Sequence, residues 1–109
     1  MSLFKAAEKT EIPEGSMKVF NIEGKEVLII NIEDTFYAIG AKCTHMGGDL
    51  SKGAIDQKTI KCPRHGAIYD IATGESLSGP RMGPLKLKTK DLVKYNIKIE
   101  NENIFIEII

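Results

Sequence analysis

Soft metal ligands are scarce in this chain of 109 residues, which has two cysteines and two histidines. Net charge is absent as well. Fifteen basic residues balance fifteen acidic ones, so no global positive field draws the protein to nucleic acid or to an anionic membrane. No apolar run approaches the roughly 20 residues that a spanning helix needs. The opening stretch MSLFKAAEKTEIPEG has neither a continuous apolar segment nor a small-residue cleavage signature, so it does not read as a signal or transit peptide. Repeats, low-complexity tracts and long like-charge blocks are missing too, which argues against disorder and for a single domain over residues 1–109. These absences together predict a cytoplasmic protein. In that reducing compartment a Cys43 to Cys62 disulfide is disfavoured, leaving metal binding, redox chemistry or plain buried thiols.

What is present reads as strands. KEVLIINI (25–32) is a β-branched apolar run, followed by the turn Glu33-Asp34 and by TFYAI, which predicts a hairpin. Val93, Tyr95, Ile97 and Ile99 alternate with Lys94, Asn96, Lys98 and Glu100, the period-two pattern of a half-buried strand. The polar turn Asn101-Glu102-Asn103 then leads into IFIEII, with Ile104, Ile106 and Ile108 on one face. Shorter strands fit SMKVFNI, TIKC, AIYD and PLKLK. No window carries a long amphipathic helix, so the expected class is all-β, a sandwich or barrel of short strands.

Both cysteines and both histidines fall within residues 43–66, in CTHMGGDLSKGAIDQKTIKCPRHG. Cys43 and His45 lie in one candidate loop, Cys62 and His65 in a second. Sixteen residues separate His45 from Cys62, and GAID and TIKC within them suit a hairpin that brings the loops face to face. The glycines and Pro63 suit tight turns. A single zinc ion accepts two cysteines and two histidines, but common structural sites space the ligands of a pair by two or more residues, and C-x-H makes a cramped chelate. With two metal ions the constraint relaxes, one ion taking Cys43 and Cys62 and the other His45 and His65.

C-T-H followed by C-P-R-H-G resembles the signature of Rieske iron-sulfur proteins, C-x-H then C-x-x-H, in which two cysteines hold one iron and two histidines the other. IYDIATGES is similar to that family's aromatic-Asp and Thr-Gly turn, and SGPRMGPL to its proline loop. The resemblance covers about residues 35–109. It implies a Rieske-like fold of stacked antiparallel sheets, with a base lobe over about 1–40 and 80–109 and a small cluster-binding lobe over about 41–79. One 2Fe-2S cluster is implied as cofactor, held by Cys43, His45, Cys62 and His65. Two thiolates and two neutral imidazoles leave the oxidised cluster formally neutral, so an electron is added more easily than with four thiolates, at about −150 to +300 mV. In related high-potential proteins a serine hydroxyl and a tyrosine donate hydrogen bonds to the sulfurs; Ala67 stands at the serine position, whereas Tyr69 keeps the tyrosine and is expected beside the cofactor.

Two features point to a branch. Rieske proteins of respiratory complexes carry an extra cysteine in each loop, and the matching positions here are Gly48 and Arg64. With only two histidines, both already assigned, a 2-His-1-carboxylate iron site of an oxygenase is not expected in this chain. The pattern resembles soluble Rieske ferredoxins: electron carriers rather than enzymes, taking electrons from a reductase and passing them to a terminal oxygenase or other oxidoreductase. A small Rieske subunit of a larger oxidoreductase, such as a nitrite reductase, is the alternative, and a Cys2His2 zinc-binding module is a third. Met46, Pro80 and Met82 are candidates for partner contact. Lys86, Lys88, Lys90 and Lys94 read as a solvated strand face.

Overall fold

The computed structural model describes residues 2–42, 48–63, 66–78, 81–82, 85–86 and 90–108, the two short pairs by backbone alone. In chain order the strands are β1 (Ser2–Glu8), β2 (Met17–Ile22), β3 (Lys25–Ile32), β4 (Thr35–Gly40), β5 (Ala54–Asp56), β6 (Thr59–Lys61), β7 (Ile68–Asp70), β8 (Ser76–Ser78), β9 (Arg81–Met82), β10 (Leu85–Lys86), β11 (Lys94–Tyr95), β12 (Ile97–Glu100) and β13 (Asn103–Ile108). They form three main antiparallel sheets, ordered β1-β13-β12, β11-β4-β3-β2 and β5-β6-β7-β8, with β9 and β10 as a separate ribbon. Among the described residues no helix is long and apolar enough to cross a membrane.

The stacking follows from β3. Alternate residues of a strand face opposite sides of its sheet, so a strand with no polar face must be covered on both. Val27 and Ile29 pack with Ala7, Ile12, Ile22, Ala38, Ile104 and Ile106 against the β1-β13-β12 sheet. Leu28 and Ile30 pack on the other side with Ile39, Leu50, Ile60, Tyr69 and Ile71, reaching the β5-β6-β7-β8 sheet. The continuous run of 25–32 is therefore the middle layer of a three-layer stack. Each fully buried Ile or Leu contributes about 1.5–3 kcal/mol.

Turn chemistry fixes the register. Glu33 and Asp34 both have positive φ, at 52° and 62°. A two-residue loop with φ > 0 at both positions matches the twist of a hairpin, and Ile32 pairs with Thr35 as the sequence predicts. Asn101 likewise takes positive φ, and Glu100 pairs with Asn103 to begin the terminal hairpin, so the turn proper is Asn101-Glu102.

The period-two stretch from Val93 differs from expectation. It is not one strand: Lys94–Tyr95 joins β4 in the middle sheet, whereas Ile97–Glu100 joins β13 in the terminal sheet. The chain changes sheets at Asn96, whose carbonyl accepts the Glu107 N–H at 3.0 Å and whose side chain donates to the Glu107 carboxylate at 3.1 Å. Val93 consequently stays 61% exposed and Ile99 37%, so the apolar alternation marks a half-covered face only at Tyr95 and Ile97. Strand β1, not expected from the sequence, pairs with β13 through a bulge between Lys5 and Ala7.

Candidate metal centre

Each candidate ligand loop is closed at its base by backbone hydrogen bonds. The first leaves β4 through Ala41 and Lys42. Lys42 forms an antiparallel bridge with Asp49, and the Leu50 N–H donates to the Ala41 carbonyl at 3.0 Å, which pinches off the segment between them. The second is tighter. The Cys62 N–H donates to the Ala67 carbonyl at 2.8 Å, and the Gly66 N–H donates back to the Cys62 carbonyl at 3.1 Å. Gly66 takes φ +77°, a conformation that side chains rarely adopt, and this lets the chain reverse within five residues.

The bases of both loops stand on one foundation. Ala41, Leu50, Cys62, Ala67 and Tyr69 all belong to the core cluster beneath the β5-β6-β7-β8 sheet. Between the loops runs the hairpin expected from GAID and TIKC, with Ala54 opposite Lys61 and Asp56 opposite Thr59. Tyr69 is fully buried on β7, opposite Ile60 of β6. Of the predicted ligands, Cys62 is described and buried, at 2% exposure. Cys43, His45 and His65 lie outside the described residues, as do Met46, Arg64 and Pro80; Met82 is described by backbone alone.

Several residues that hold this arrangement carry no ligand signature. Asp49 caps the short helical turn Leu50–Lys52: its carboxylate accepts from the Ser51 N–H at 2.9 Å and from the Ser51 hydroxyl at 2.6 Å. The Ser51 hydroxyl is the main reason the carboxyl sits below its ordinary value of 3.8, helped by the Ser51 N–H, Lys52 and Lys42 and opposed by slight burial. Lys42 also approaches Glu26 at 3.6 Å, an exposed pair that adds little stability. Sequence reasoning missed the Asp49 cap, though Asp two residues before Ser is a recognisable signal for it.

The stretch IYDIATGES forms the turn that ends β7. The Asp70 carboxylate accepts the Ala72 N–H at 2.8 Å, the Asp70 carbonyl accepts the Gly74 N–H at 2.7 Å, and Thr73 Oγ1 accepts the Glu75 N–H at 3.1 Å. The Gly74 carbonyl in turn accepts the Leu92 N–H at 2.7 Å, and Asp91 accepts the Ser76 N–H at 2.8 Å. Val93 completes the lacing by accepting the Gly40 N–H at 2.9 Å. Residues 91–93 thus tie the second loop's sheet to the strand that leads into the first loop.

The donor set suits a metal cluster bridging two loops. Cys62 is buried at the base of its loop, and a metal bound to its sulfur would supply the positive charge that a coordinating thiolate needs there. An N/S donor set of two thiols and two imidazoles suits iron-sulfur or zinc, and the spacing within each pair favours two metal ions over one.

Comparison with known proteins agrees. Residues 2–95 match the model of the Rieske [2Fe-2S] domain. The chain is 33% identical over 102 residues to the ferredoxin component of the naphthalene 1,2-dioxygenase/salicylate 5-hydroxylase systems of Ralstonia sp., covering 94% of this chain and 91% of that one. Its fold superposes on the ferredoxin of carbazole 1,9a-dioxygenase from Nocardioides aromaticivorans IC177 with a TM-score of 0.80, 23% identity and 97% of each chain covered. A structure described as the complex of reduced oxygenase and oxidized ferredoxin in carbazole 1,9a-dioxygenase contains a chain similar at a TM-score of 0.77 and 25% identity, covering 95% of this chain and 91% of that one. Loops closed on a shared core, a buried thiol at the base of one of them and a family match across most of the sequence lead to one conclusion: this chain belongs to the Rieske [2Fe-2S] domain family.

Proposed function

We propose that this protein is a one-electron carrier that takes electrons from a reductase and delivers them to a terminal oxygenase or another oxidoreductase in the cytoplasm. The carrying observation is that Ala41, Leu50, Cys62 and Ala67, the bases of both loops, share one buried core. Loop bases so mounted would hold a bridging cluster between fixed points, and small movement on reduction favours electron transfer over chemistry on a substrate. The name of the relative from Ralstonia sp., a ferredoxin component, supports the same reading.

In this reading Cys43 and Cys62 hold one iron, His45 and His65 the other, and Tyr69 supports the site from beneath. When bound, the cluster supplies a centre that gains and loses one electron. The chain's own contribution is to bury Cys62, to keep both loops closed and to seat them on β6 and β7. Residues of about 41–79 form the cluster-binding lobe, and about 1–40 with 80–109 the base. Met46, Pro80 and Met82 are the partner contact in this reading, around the histidine-bound iron. The test is metal and sulfide analysis of the purified protein with a reductive titration. About two iron and two sulfide per chain with one electron accepted are expected. One zinc per chain without acid-labile sulfide would instead establish a zinc-binding module.

A further inference from the structure

We propose that Gly53 is a positioning residue that sets the spacing between the two ligand-bearing loops, and through it the electronic signature of the cluster they share; this rests on the ligand assignment above. Gly53 follows the capped turn at the end of the first loop, and its N–H donates to the Leu50 carbonyl at 3.0 Å. Leu50 in turn closes the first loop onto Ala41. On its other side Gly53 meets Lys61, the residue immediately before Cys62. A Cβ built on Gly53 overlaps the Lys61 carbonyl oxygen and sits 3.2 Å from both the Lys61 carbonyl carbon and the Leu50 carbonyl oxygen.

Backbone conformation is not the reason for glycine here. Gly53 has φ −83° and ψ −177°, extended geometry open to any residue. What is excluded is the Cβ itself, because the atoms it meets are backbone and cannot rotate aside. The Lys61 side is the firmer of the two, since β6 is paired with β5 and β7. An added methyl group therefore displaces Gly53 and Leu50, and with them the base of the first loop, away from Cys62. Gly40 offers a matched contrast. It precedes the first loop from the other direction, and a Cβ there finds nothing nearer than the Val93 nitrogen at 3.9 Å, an ordinary contact.

Holding a shared cofactor from two independent loops makes its geometry sensitive to their separation. The experiment compares the intact holoprotein with Gly53→Ala, Gly40→Ala and Ile104→Val, which trims a buried side chain in the opposite core. Electron paramagnetic resonance of the reduced cluster, midpoint potential and iron content are read, with far-ultraviolet circular dichroism to report folding. Gly53→Ala is expected to shift the g-values and potential and to retain less iron, while Gly40→Ala and Ile104→Val keep the parent's g-values. Parent-like g-values and potential in Gly53→Ala would overturn the proposal, as would an equal shift in Gly40→Ala. A Gly53→Ala chain that does not fold while Gly40→Ala does would also overturn the proposal, because the contact would then set the fold and not the spacing of the loops. A parent protein without a 2Fe-2S cluster would overturn the ligand assignment, and this proposal with it.

Discussion

Replacing Ile60 by alanine separates the stability of the fold from the support of the loops. Ile60 has no exposed surface, lies on β6 opposite Ile55 and Tyr69, and belongs to the core shared by both loop bases. The substitution removes three carbons at about 0.8 kcal/mol each, or about 2.4 kcal/mol, before any cavity term. Because β6 is pinned between two strands, the hole closes poorly, and a total of about 3.5 kcal/mol falls within the usual range for Ile→Ala. That is roughly a 300-fold rise in the unfolding constant. Ile104→Ala makes the same chemical change at an equally buried site in the opposite core. Urea unfolding followed by circular dichroism should show similar losses for the two variants. Release of iron to a chelator in the absence of urea, followed by visible absorbance, should be faster for Ile60→Ala by about an order of magnitude, the effect of about 1.4 kcal/mol acting locally. Equal release rates, or faster release from Ile104→Ala, would refute the reasoning that one core carries the loops.

Ala67→Ser should raise the midpoint potential and Tyr69→Phe lower it, each by about 60 mV, the one-electron equivalent of a hydrogen bond of about 1.4 kcal/mol; protein-film voltammetry measures both. Asp49→Ala should cost about 1 kcal/mol at neutral pH by removing the cap on the turn after the first loop. Because the folded carboxyl titrates below its ordinary 3.8, its ionised form stabilises the fold fully above that value, and the gain is lost as pH falls through the folded value. Urea titrations from pH 7 downward should therefore show the gap between parent and variant narrowing below pH 3.8. Charged substitutions at Met46 or Met82 should slow electron transfer to the natural acceptor several-fold without changing the visible spectrum, as stopped-flow mixing with that acceptor would report.

Legibility of the fold varied with how much side-chain pattern each element needs. The middle layer could be read because Val27 to Ile30 bury both faces, and such a strand has to be apolar throughout. Its turn was equally plain in Glu33-Asp34. Strand β1 was not, because Ala6 and Ala7 carry little hydrophobic signal and the bulge after Lys5 breaks the alternation. The change of sheet at Asn96 left no mark either: the apolar period continues through it while the partner strand changes. At the candidate metal centre the two Cys-His pairs and their spacing stood out, since cysteine and histidine are otherwise absent from the chain. The loop closures at Ala41, Leu50, Cys62 and Ala67 are backbone hydrogen bonds, which any residue can make and no sequence pattern reveals. Gly53 belongs with them, because its role depends on where Lys61 lies in space.

Assignment of both imidazoles to the cluster is tested most directly by pulsed electron paramagnetic resonance of the reduced protein carrying 15N-labelled histidine. With only two histidines in the chain, His45 and His65 should give two inequivalent, strongly coupled nitrogens. A reduced cluster with no strong histidine coupling, or with only one, would contradict ligation by two cysteines and two histidines.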